Sequence, residues 1–191
     1  MQPGAQWARI AELPPASMRN MALFPCVMAI LPAVAWYYGT TRVGWSVGDG
    51  APIRLTEDSA LMLILLFYFT MISSVAIIGY AIHWMSRTYG ANSSLAKGLA
   101  IAGFTATPLF ITGAVGFYPV LWLDMLIGVV AVCWAVYLMY LGIPIVMKIP
   151  EERGFLFASA VLAICLVILV CILVGSVILW DFGAGPAFTD A

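Results

Sequence analysis

The sequence predicts an all-α integral membrane protein, a bundle of five transmembrane helices. The N-terminus is expected in the cytoplasm and the C-terminus in the periplasm, with a short interfacial helix before the first span. Three observations predict this. Apolar residues make up 64% of the 191 residues and charged residues 9%, against ~45–50% and ~25% in globular chains. Mean hydropathy is +1.05, and the apolar residues gather in runs near the ~20 residues that a hydrocarbon core requires. Lysine and arginine are shared unequally between the loops, which sets the orientation. Strand-like alternation is missing, and bare backbone groups in lipid are costly, so helices are the expected form.

Residues 1–20 make the cytoplasmic or interfacial segment. Within it Trp7, Ile10 and Leu13 recur at helical spacing, while Arg9 and Glu12 point elsewhere. That pattern fits a helix lying in the interface and ended by Pro14-Pro15; a tail that docks only in part is the other reading. The membrane domain covers 21–181, with spans at about 21–38, 59–86, 95–117, 119–143 and 154–180, and a periplasmic tail, 182–191, follows.

The first span closes on Trp36, Tyr37 and Tyr38, an aromatic cluster suited to an interface. Its Ala33-Val34-Ala35 imitates a signal-peptidase site, but the segment is expected to be retained. The outer loop after it is rich in Gly and polar residues, and Gly48-Asp49-Gly50 reads as the turn of a short hairpin or cap. Glu57-Asp58 and Ser59 mark the start of span two. Gly142 and Pro144 are expected to end span four. Arg9, Arg19, Arg87, Lys97, Lys148 and Arg153 fall on one side, whereas Arg42 and Arg54 fall on the other among Asp49, Glu57 and Asp58. The basic side is cytoplasmic. No internal repeat is visible, so an inverted-repeat transporter gains no support.

Span three contains "GFTATPLFITG", Gly103 to Gly113. Pro108 lacks an N–H, which leaves the Phe104 carbonyl without its helical partner. Thr107 is expected to bond back to that carbonyl, and Thr105 and Thr112 to reach back likewise or to bond neighbouring helices. A packing kink explains these residues; a pore, gate or binding pocket is the alternative. Gly98, Ala102 and Ala106 repeat every four residues, Gly103 beside them, and such rows let helices approach closely. Asp124, Gly128, Ala131 and Ala135 form a comparable stripe in span four, and Ser73, Ala76, Tyr80 and His83 one in span two. The three faces are expected to turn toward each other or toward another subunit.

Asp124 is the carboxylate well within a span, and intramembrane acids are functional candidates. It lies near the outer end of its helix, where the dipole favours an anion. Arg42 or Arg54 could clamp it there; an ion or proton site is the alternative. His83 lies about 36 Å along span two from Ser59, at the opposite side from Asp124, so the two make no direct proton relay. With Trp84 and Arg87 it reads as an interfacial anchor. Cys26, Cys133, Cys165 and Cys171 fall in apolar spans without metal-ligand spacing and read as small buried hydrophobes. No Ser–His–Asp set, HExxH, paired acids, P-loop or dinucleotide fingerprint appears, so neither catalysis nor a cofactor or metal is expected. No basic cluster suggests nucleic acid.

Several stretches together resemble the Ypt-interacting protein (Yip) domain family, in its bacterial YohC-like branch. They are "WARIAELPPAS", "TTRVGWSVGDG", "GFTATPLFITG", "FYPVLWL" and "YLMYLGIPIVMKIPEERG", which keep their order from Trp7 to Gly154. The resemblance implies a bacterial inner-membrane protein with five helices and no known catalytic chemistry. Gly103, Thr107 and Pro108 match the family's glycine-to-proline element, and Leu141, Gly142, Pro144 and Pro150 its loop before span five. Eukaryotic members engage small GTPases through a long cytosolic N-terminal region. Only about twenty residues precede the first span here, so small-GTPase binding is not carried over. The expected role is that of a non-enzymatic scaffold, assembly partner or bilayer organiser. Its partners would be membrane lipids and itself, as a homo-oligomer, or other membrane proteins. The alternative is a channel or transporter using the Thr/Pro break and Asp124.

Overall fold

Four of the apolar runs become helices long and apolar enough to cross a membrane: Glu57–Met85, Leu95–Phe117, Leu121–Met147 and Glu151–Ala184. The computed structural model describes residues 3–21, 23–46, 51–91 and 93–189. Its α-helices are α1 Pro3–Ala11, α2 Pro15–Met21, α3 Phe24–Met28, α4 Ile30–Tyr38, α5 Glu57–Met85, α6 Leu95–Thr105, α7 Thr107–Thr112, α8 Leu121–Met147 and α9 Glu151–Leu179.

The first predicted span is a chain of short helices. α3 carries Pro25 in its opening turn, α4 carries Pro32 in its own, and Ala29 separates them. A proline fits a first turn, where its missing donor is not needed, and breaks the run before it. The Tyr68 hydroxyl of α5 donates to the Cys26 carbonyl at 3.1 Å beside this break, supplying a partner where the ladder is interrupted.

α1 ends before Pro14, as its sequence predicts, and one side of it packs on the bundle. Trp7 is 3% exposed. Its ring fills the space that a Gly142 side chain would take on α8, and it meets Phe104 of α6 edge-on at 6.4 Å. Gly142 and Pro144 do not end span four. Pro144 lies inside α8, which stops at Lys148 in the left-handed conformation. The Ile149 N–H closes back on the Pro144 carbonyl at 3.2 Å, a C-terminal capping arrangement.

Packing is uneven along the bundle. The end where α8 meets α9 holds Phe157, Ile143, Val146 and Val161, all fully buried, and Tyr89 stacks on Phe157 with ring centroids 4.8 Å apart. The buried residues of α9 are Gly154, Phe157, Ala158 and Val161, all in its first three turns. Beyond them its side chains are half-buried or exposed. At the other end the segment between α4 and α5 is tied by short antiparallel bridges. Trp45 and Ile53 make an antiparallel bridge, and Leu55 makes another with Phe188 of the C-terminal tail. The Gly48-Asp49-Gly50 turn lies outside the described residues.

Candidate functional site

The third segment bends where its sequence says it should. α6 stops at Thr105, Ala106 takes a turn conformation, and α7 restarts with Pro108 in its first turn. Thr107 donates to the Gly103 carbonyl at 3.3 Å, four residues back and not the three expected for Phe104. A threonine hydroxyl reaches either carbonyl in a helix, and the bend favours the farther one. Thr112 donates to the Pro108 carbonyl at 2.9 Å. Thr105 breaks the pattern: its hydroxyl is buried and has no partner among the described residues.

The glycines of this segment meet the prolines of the first. A side chain at Gly103 would meet Pro25 at 2.7 Å, one at Gly113 would collide with Pro32, and one at Gly116 would meet the Trp36 ring at 2.7 Å. A pyrrolidine ring thus seats on bare backbone where two broken helices run side by side. This packing accounts for the glycines and prolines of the segment.

Thr105 faces a cavity of about 260 Å³ between α5, α6, α8 and α9. Ala102 and Ala106 line it with Ala135, Met139 and Cys165, so its walls are almost wholly apolar. Pro108 and Thr112 instead border a groove of about 550 Å³ against Ala131 and Trp134 of α8. Thr105 and Pro108 therefore open on different spaces, and the break does not gather its polar atoms at one point.

Asp124 sits in the first turn of α8. Both carboxylate oxygens are buried and lack a partner among the described residues. The expected arginine clamp is absent. Arg42 pairs with Glu57 at 2.9 Å, and Arg54 donates to the Val43 carbonyl at 3.3 Å; each cation has a nearer acceptor in its own loop. His83 stands near the far end of α5 beside Tyr80, Trp84 and Arg87. Its Nδ1 is buried without a partner, and no bond joins it to Asp124, among the described residues. The four cysteines are free.

Of the small-residue faces, Gly98, Ala102, Ala131 and Ala135 are buried, and Ala106 is half-buried. Gly128 is not packed: nothing lies within 4 Å of where its side chain would be. The span-two stripe does not turn toward the other two faces: Ser73, Ala76 and Tyr80 face outward, the side left for another subunit, while Val75, Gly79 and Ile82 are buried. The polar look of that stripe misleads; the legible signal was Gly79, a glycine inside a long apolar helix, which marks close backbone approach.

A family model, the Yip1 domain, matches residues 1–172. The chain belongs to the Yip1 domain family. It is 43% identical over 157 residues to inner membrane protein YohC of Escherichia coli strain K12, covering 82% of this chain and 80% of the relative. The protein of the same name from Escherichia coli O6:H1 matches equally. No solved structure matches. This Yip1-domain chain is a multi-pass inner-membrane protein, and neither the family description nor the relatives' names denote an enzyme.

Proposed function

We propose that this Yip1-domain protein acts without chemistry of its own, as a scaffold, assembly partner or bilayer organiser working through helix packing. In this reading five segments cross the membrane, the broken α3–α4 segment being the first. The N-terminus is then cytoplasmic and the C-terminus periplasmic. The basic residues gathered on one side support this orientation, and the Pro25–Gly103 to Trp36–Gly116 seam supports a full crossing.

The observation that carries the reading is an unmet invitation to pack. Gly128 and Gly175 lie inside long apolar helices with nothing within 4 Å of either side-chain position. A glycine in a helix interior costs about 1 kcal/mol relative to alanine, a cost offset in membranes where another backbone comes close. Among the described residues none does. A second copy is the simplest partner, so a homo-oligomer follows, bathed in membrane lipids. Cross-linking in lipid nanodiscs tests this: the wild type should give oligomers, and Gly128→Leu with Gly175→Leu should reduce them. A monomeric wild type would overturn the proposal. No feature supports small-GTPase binding, a cofactor or nucleic acid.

A second reading, a channel or transporter for an ion or small solute, draws on the buried, partnerless carboxylate of Asp124. Ion flux in liposomes that Asp124→Leu abolishes would favour it over packing alone.

A further inference from the structure

The turn between α8 and α9 carries a groove that the packing role does not use. It has a volume of about 1120 Å³ and runs between the last turns of α8 and the first turns of α9. Its lower wall is apolar and aromatic, with Tyr137, Leu141, Ile145 and Leu156. Tyr140 and Phe155 close its floor with ring centroids 5.2 Å apart, and the Tyr140 hydroxyl is held by Ser159 at 2.9 Å. At the mouth stand Lys148, Glu151 and Glu152. All three are exposed, and none is in a salt bridge among the described residues, where the ion pair is Arg42–Glu57.

From this geometry we infer a binding site for one zwitterionic aminophospholipid drawn from the surrounding bilayer leaflet. The inference rests on reading α8 and α9 as bilayer-spanning helices, and it gives the bilayer-organiser role a molecular handle. Length comes first. From Tyr137 to Lys148 the groove wall rises about 16 Å along α8, roughly half of a ~30 Å hydrocarbon core. That is the depth of one leaflet, so an acyl chain can lie on the apolar wall while its headgroup reaches the charged mouth.

Charge then chooses the headgroup. A phosphate diester is an anion that the Lys148 ammonium can meet with a charge-assisted hydrogen bond. A primary ammonium two carbons away supplies three N–H donors to carboxylates that only accept. Glu151 and Glu152 are placed to take them. An anionic glycerol headgroup would set its phosphate near two carboxylates with no ammonium to offset them. A trimethylammonium headgroup keeps the charge but loses the donors. The positive φ of Lys148, 54°, follows from its capping of α8 and sets the direction in which its side chain leaves the backbone.

The test uses the full-length protein in detergent, titrated with dioleoyl phosphatidylethanolamine, phosphatidylglycerol and phosphatidylcholine, with retained lipid read by native mass spectrometry. The wild type should retain phosphatidylethanolamine several-fold over the other two. Glu151→Gln with Glu152→Gln should level that preference while lipid is still bound. Lys148→Ala should lower retention of all three several-fold, and Leu156→Trp, which fills the groove, should do the same. Helical content by circular dichroism identifies any variant that has not folded, and the Gln pair, on an exposed turn, keeps the test decisive. Equal retention of the three lipids by the wild type, or an undiminished preference in the Gln pair, would overturn the site. Neither result bears on whether Gly128 and Gly175 mediate assembly, which the cross-linking decides separately.

Discussion

Gly98 of α6 lies on the main chain of Gly79 in α5. A methyl added at Gly98 would run into the Gly79 carbonyl, and one added at Gly79 would meet the Leu99 Cα at 2.8 Å. At Gly98 every near atom is main chain, and at Gly79 the Leu99 Cδ2 could turn aside but the Leu99 Cα and N could not. The two helices cross backbone to backbone, which gathers dispersion contacts in a medium where the hydrophobic effect between helices is lost.

Substitution at that crossing should therefore be among the most damaging in the chain. Gly79→Leu is expected to cost about 3 kcal/mol or more, at the upper end of overpacking penalties. Gly128→Leu, which meets nothing among the described residues, should leave monomer stability unchanged or raise it by up to about 1 kcal/mol. Thermal unfolding of both in one detergent compares them, and equal losses would show that the α5–α6 contact is not as described.

Trp7 couples the N-terminal helix to the bundle. Truncating a buried tryptophan typically costs about 3–5 kcal/mol, and here it would also empty the space above Gly142. Trp7→Ala should make α1 sensitive to protease in intact membranes while α5 to α9 stay resistant. Retained protection of α1 would mean that Ile10 and Leu13 suffice to hold it.

The threonines at the bend should respond in opposite directions. Thr112→Val removes a hydroxyl that bonds the Pro108 carbonyl and should lower stability by about 1 kcal/mol. Thr105→Val removes a buried hydroxyl without a partner, so it should be neutral or raise the unfolding midpoint. A clear loss from Thr105→Val would reveal a bonded ligand or water in the apolar cavity.

Asp124 offers a similar sign test. A buried carboxylate with no partner is a net cost, so Asp124→Leu should raise the thermal midpoint in detergent, with Asp124→Asn between the two. A marked fall would instead mean that the carboxylate is met by a group from another subunit. Thermal scans of the three proteins at one pH separate these outcomes.

Much of this architecture was legible in the chain. The apolar runs gave helices at Leu95–Phe117 and, within a few residues, at Glu57–Met85 and Glu151–Ala184, because in lipid the backbone has few other ways to satisfy itself. The Pro108 break was readable for the same reason that proline breaks any ladder. The first segment was read as one helix despite Pro25 and Pro32, and α8 as ending at a proline that it passes through. Local rules state where a proline interrupts a ladder, but neighbours decide how the broken stretch is held, as Tyr68 does at the Cys26 carbonyl.

What the sequence determined by itself was medium and secondary structure: hydropathy, charge asymmetry and backbone saturation are properties of residues in order, and they need no partner. What only the tertiary structure decided was pairing. That Gly142 receives Trp7, that Gly103 receives Pro25, that Arg42 turns to Glu57 and leaves Asp124 alone, and that Lys148 shares a groove with Glu151 and Glu152 all depend on which helices meet. Close packing and charge pairing act over a few ångströms between residues far apart in the chain, and apolar helices in lipid carry little pattern to announce their neighbours.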